Sequence, residues 1–115
     1  MIEKRDSKIE NVALVGVITR EQDEEKSKEY LDELEFLTYT AGGEVIKRFT
    51  QRLEFPNPKT FIGMGKLDEV MNFIVIIGVE TVIFDDVLNP AQGRDIASIL
   101  NCKVVARASV IVVVL

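Results

Sequence analysis

Histidine is absent from the chain and cysteine occurs once, at Cys102. That inventory leaves no zinc site built on His and Cys, no Cys/His or Ser/His catalytic pair and no intramolecular disulfide. A base near Cys102 in sequence is also missing, so this residue reads as a small buried side chain. Long hydrophobic runs are lacking: "FIVII" and "VIVVVL" fall far short of the roughly 18 residues that a membrane-spanning helix needs. The opening "MIEKRDSKIE" is charged and has no apolar core, so it does not read as a signal peptide. These absences together place the chain in a reducing, cytoplasmic setting.

What is present suits one domain. The chain has 115 residues, 47% of them hydrophobic, and a formal charge of −5, enough for a single core. The whole molecule has no net attraction for nucleic acid, but its charge is uneven. Residues 21–35 are strongly acidic, whereas Lys47, Arg48, Arg52, Lys59 and Lys66 cluster in 47–66 with Glu54 as the only acid.

Apolar periodicity predicts the elements. "NVALVGVI", 11–18, reads as a strand buried on both faces, and an amphipathic helix follows, ended by Gly42 and Gly43. A strand at 44–50 leads into a proline-punctuated loop, then a helix over 65–78 whose stripe is Leu67, Val70, Met71, Ile74 and Ile77. A third strand, 80–86, precedes a helix with Asn89 as N-cap and Pro90 at its first position, and "CKVVARA" reads as a fourth strand. The alternation implies an α/β fold, a small four-stranded parallel sheet with helices on both faces. Residues 1–10 form a charged N-terminal tail, 11–107 the domain and 108–115 an apolar C-terminal tail. Ligands of such a sheet bind at its carboxyl edge, which gathers Thr19, Arg20, the 51–66 loop, Asp85, Asp86 and Arg107.

The loop "GMGK", 63–66, enters a helix. Its free N–H groups and Lys66 could meet a phosphate, with Arg48, Arg52 and Lys59 as basic neighbours that also suit an RNA backbone. Its spacing matches neither a Walker loop nor G-x-G-x-x-G, so glycines that merely permit a tight helix entry are an equally physical reading. Asp85 and Asp86 could hold Mg²⁺ or accept a phosphoryl group, or simply cap the next loop. The tail "SVIVVVL" is uncharged and β-prone, and an uncovered copy favours strand pairing between chains.

"TFIGMGKLDEV", "PNPKT" and "VIFDDVLNPAQGRDI", in register along the chain, resemble motifs of the N-terminal domain of HflX-type GTPases, a family of ribosome-associated proteins that split stalled or heat-damaged ribosomes. "TFIGMGKLDEV" is similar to the family's T-[YF]-I-G-x-G-K-[LV]-x-E-[LIV], "PNPKT" to its P-x-P-x-T, and "VIFDDVLNPAQGRDI" to its V-I-F-D-D-x-L-x-P-x-Q-x-R-N-[IL]. The resemblance spans about residues 12–107. By position it implies a signature loop of Thr60, Gly63, Gly65 and Lys66 and a second signature of Asp85, Asp86, Pro90, Gln92 and Arg94. Further candidates for nucleotide or RNA contact are Arg48, Arg52, Lys59 and Arg107. It also implies a non-catalytic domain that docks on the large ribosomal subunit, through ribosomal RNA or a nucleotide, and regulates a GTPase domain. GTP and Mg²⁺ belong to that GTPase domain, and some members have a separate ATP-related activity. No Walker motif occurs in this chain, so it is not expected to hydrolyse GTP by itself.

Departures from the pattern all add apolar surface. Ala106 and Ala108 flank Arg107 where the family carries an acid and a threonine, and Val75, Ile76 and Val87 stand at usually charged positions. They suggest a second reading, a protein-interaction or homo-oligomerisation module built on the second helix and the valine tail.

Overall fold

The computed structural model describes residues 10–114, so most of the expected charged tail, and Leu115, lie outside the described residues. Four strands and four helices alternate: β1 Glu10–Ile18, α1 Glu24–Thr40, β2 Gly43–Arg52, α2 Met64–Phe73, β3 Thr81–Phe84, α3 Pro90–Leu100, β4 Lys103–Ala106 and α4 Arg107–Val114. The sheet is entirely parallel with order β2-β1-β3-β4, the α/β architecture expected from the alternation.

Strand β1 is central, and its residues divide by parity. Ala13, Val15 and Val17 join Phe49, Val82 and Phe84 in a core closed by Leu67 and Val70 of α2 and Ile96 and Leu100 of α3. Val12 and Leu14 face the other way, with Ile83, against Leu31 and Leu34 of α1 and Val110 of α4. The connections leaving β1 and β2 therefore run on opposite faces, and strand order reverses between β1 and β3. That switch point is where a doubly wound sheet opens a crevice at its carboxyl edge.

Local chemistry explains most boundaries. Asp23 caps α1, accepting from the Lys26 amide at 2.9 Å, and Gly42, at φ +98°, supplies the left-handed turn that leads into β2. Asn89 and Gln92 form a reciprocal capping box at α3, where Asn89 Oδ1 accepts from the Gln92 amide at 2.7 Å and Pro90 opens the helix.

Two expectations change. The helix predicted over 65–78 is α-helical only to Phe73 and then makes a π-helical turn, Ile74–Gly78, closed by the Val79 amide on the Ile74 carbonyl at 3.3 Å. The wider turn rotates the stripe, so Ile77 is 50% exposed instead of buried. The fourth strand stops at Ala106, and the β-prone tail is the helix α4. A strand there leaves Ile83 and Val105 bare on the α1 face; as a helix the segment buries Val110 against them, and tertiary burial outweighs the local preference of valine.

Candidate functional site

The signature loop crosses the carboxyl edge from β2 to α2 and is held along its length. Asn57 Oδ1 accepts from the amides of Lys59 and Thr60 at 2.9 and 3.1 Å, an Asx turn. Phe61 lies at φ 70° with its ring buried edge-on to Phe84, centroids 5.6 Å apart. The Thr60 hydroxyl is buried and donates to the Ile62 carbonyl at 2.7 Å, and the Gly63 amide donates to Gln51 Oε1 at 2.9 Å. From the second signature, Gln92 donates to the carbonyls of Asn57 and Pro58 at 3.3 and 3.2 Å. The two motifs are thus joined into one unit, and that is the first role the geometry gives them.

Gly65 is exposed, and a Cβ built on it meets nothing within 4 Å. Glycine is not required there by the fold. Gly65→Ala is expected to raise stability by up to about 1 kcal/mol, read as an increase in Tm; weaker binding of a partner by the same variant then reports a close backbone approach at this turn.

Most of the basic residues nominated from the sequence are paired with acids, three of them with acids of α1, which lies across β1 and β2. Arg48 Nη2 contacts Glu35 Oε1 and Asp32 Oδ1, each at 2.8 Å. Lys28 first, and Arg48 second, hold the Asp32 carboxyl below its ordinary value. Arg52 pairs with Glu24 at 3.1 Å, and Lys66 with Glu69 at 3.2 Å. Arg107 binds Asp85 and Glu33, donates to the Tyr30 carbonyl at 3.1 Å and lies over the Tyr30 ring. Among the described residues, Lys59, Arg94 and Arg20 form no ion pair; all three are exposed on loops or helix starts of the carboxyl edge. Sequence proximity nominated Arg48 and Arg52, and place at a strand's carboxyl end nominated Arg107; their partners lie across the fold, and no local signal announces them.

Asp85 and Asp86 end β3. The Asp85 side chain is 2% exposed, with Oδ1 on Arg107 and Oδ2 without a hydrogen-bond partner. Burial pushes its carboxyl up, and Arg107 offsets this only in part. Asp86 Oδ1 accepts from the Val87 amide at 2.7 Å, a loop cap. At the switch point a cleft of about 340 Å³ is lined by Arg20, Glu21, Glu54, Phe55 and Asp86, among others. A second, of about 350 Å³, adjoins it through Gln22 and Asp86 and reaches Asp85 and Arg107. Phe55 and Gln22 were not singled out by sequence; an exposed aromatic before "PNP" was the available signal. Burial also raises the Cys102 thiol, so it stays protonated near neutrality.

Comparison with known proteins agrees with this fold. The family described as GTP-binding GTPase N-terminal matches residues 28–114. The chain is 51% identical over 111 residues to the GTPase HflX of Flavobacterium psychrophilum, covering 96% of this chain and 27% of that protein. It is 35% identical over 88 residues to the GTPase HflX of Escherichia coli, covering 76% and 21%. It therefore spans about a quarter of the length of these relatives. Among solved structures, a GTP-binding protein from the archaeon Sulfolobus solfataricus in complex with GDP superposes with TM-score 0.66 at 20% identity, over 92% of this chain and 30% of that one. The SsGBP and GDP complex gives 0.67 at 20% identity, over 92% and 28%; both likenesses concern the fold. With the family pattern covering most of the chain and the signature loops in place, the chain belongs to the GTP-binding GTPase N-terminal family, as the N-terminal domain of an HflX-type GTPase.

Proposed function

We propose that this domain helps its full-length GTPase dock on the large ribosomal subunit in the cytoplasm, in the service of ribosome splitting, and regulates the GTPase domain that binds GTP and Mg²⁺. Ribosomal RNA is met by the loop 56–60 and the first turns of α2 and α3. The supporting observation is that Gln92 joins the two segments carrying Lys59 and Arg94, cations with no ion-pair partner among the described residues, whereas Arg48, Arg52, Lys66 and Arg107 are spent on internal acids. Free cations on a rigid edge suit phosphate contact. The domain is non-catalytic in this reading, and ATP at the same edge is a subsidiary ligand.

Pelleting with purified large subunits tests it. Lys59→Glu combined with Arg94→Glu is expected to weaken binding about tenfold or more and to flatten its salt dependence; undiminished binding by the double variant removes the assigned surface. A second reading, self-association, draws on the exposed Val75 and Ile76 of the π-helical turn, 76% and 78% exposed. Sedimentation of the domain alone separates the two, since a discrete dimer indifferent to ribosomes favours the second. No helix among the described residues is long and apolar enough to cross a membrane.

A further inference from the structure

The switch point carries more acid than the described residues neutralise. Asp85 keeps one buried oxygen, Oδ2, without a donor, and Arg107, which serves the other oxygen, is shared with Glu33. In the adjoining cleft, among the described residues, Glu21, Glu54 and Asp86 share the lining with one cation, Arg20. An apolar rim surrounds these acids: Phe55 is 76% and Val87 83% exposed, with Ile111 on the far side.

We infer that these two joined clefts dock a segment of a partner polypeptide in which one arginine or lysine is flanked by apolar residues. Three features select this occupant. Nucleic acid phosphate is repelled by the carboxylates. A metal ion is poorly served, because among the described residues no three His, Cys, Asp or Glu side chains are grouped to hold one. A free polyamine satisfies the charge but leaves Phe55, Val87 and Ile111 in water. A guanidinium brings five N–H donors in a planar fork, enough to engage Asp86 and to offer Asp85 the bond its second oxygen lacks, while the flanking apolar residues cover the rim. The inference rests on the acids of the switch point and is independent of the RNA-facing loop.

Titration of the isotope-labelled domain with a capped pentapeptide, one central arginine between leucines, tests it by NMR. Saturable shifts centred on the amides of Gln22, Phe55, Asp86 and Val87 are expected, with none at those positions from spermidine or a glutamate-centred peptide. Asp86→Asn, and separately Glu54→Gln on the exposed loop, should each weaken binding about fivefold, whereas Lys59→Glu leaves it unchanged. Shifts spread over the whole acidic surface, the same pattern from spermidine, or full affinity in both carboxylate variants overturns the proposal. Failure here leaves ribosome pelleting untouched, so the two readings are separable.

Discussion

Arg107→Ala is expected to lower the unfolding free energy by about 3–5 kcal/mol, a fall in Tm of roughly 10–20 °C. The arginine is the only described cation touching Asp85, whose side chain is 2% exposed. Its removal leaves a buried carboxylate uncompensated and also releases α4 from Glu33 and the Tyr30 carbonyl. Glu33 is 62% exposed, so its share of the loss is small. Chemical denaturation measures the change, and faster amide exchange along 107–114 locates it. Exchanging both partners for apolar groups, Asp85→Leu with Arg107→Met, should restore most of the stability, because the cost comes from the orphaned charge rather than from the lost pair.

The same pair gives a pH dependence with a definite sign. Burial raises the Asp85 carboxyl above its ordinary 3.8 in the fold, so folding favours the protonated acid. The stability from this preference is complete below the unfolded value and is lost as pH rises through the higher, folded one. Without Arg107 the upward push is unopposed. The penalty of Arg107→Ala is therefore largest near neutral pH and shrinks in acid. A penalty that stays constant from pH 7 down to about 4 counts against the buried-charge account.

Phe61→Ala should cost a comparable amount, about 3–5 kcal/mol, by removing a buried ring that is 3% exposed as a residue and packs on Phe84. Phe61 adopts φ 70°, a conformation that a side chain bearing a Cβ pays roughly 1–2 kcal/mol to hold. Its ring keeps the residue there: the burial gained exceeds the strain, and the strained turn brings the Ile62 amide onto the Thr60 carbonyl at 2.7 Å, just ahead of the Gly63 amide that donates to Gln51. Phe61→Gly loses the ring but relieves the strain, and should be more stable than Phe61→Ala by about 1 kcal/mol, less than wild type in either case. Because this residue pins the loop that carries Lys59, both variants should also weaken ribosome pelleting at temperatures where they remain folded. Equal stability of the two variants argues that the left-handed turn is not held by the ring.

The separate fates of the basic residues show how far local reading reaches. The acidic run 21–35 and the basic run 47–66 are both plain in the chain, yet their meeting is not. A helix returning over β1 places Glu24, Asp32 and Glu35 against Arg52 and Arg48, and that pairs two of the cations nominated for phosphate. Lys59 and Arg94 escape because they follow the strand ends, beyond the reach of α1. Arg107 was grouped with the phosphate-binding candidates by its place at a strand's carboxyl end, and its contacts across 77 and 74 residues of sequence, to Tyr30 and Glu33, make it a tether for α4.

Sequence by itself determined the alternation of strands and helices, the Asn89 and Pro90 start of α3, the turn at Gly42 and, through "TFIGMGKLDEV" and "VIFDDVLNPAQGRDI", the family. Each of these is written in neighbouring residues, in a cap, a left-handed glycine, a period or a signature. Only the tertiary structure decided that the valine tail is a helix, that the stripe of α2 turns outward at Ile77, which cations remain free and that the switch point is acidic. Those outcomes depend on which face of the sheet needs cover and which charges the crossovers bring together, energies that exist only once distant segments are packed.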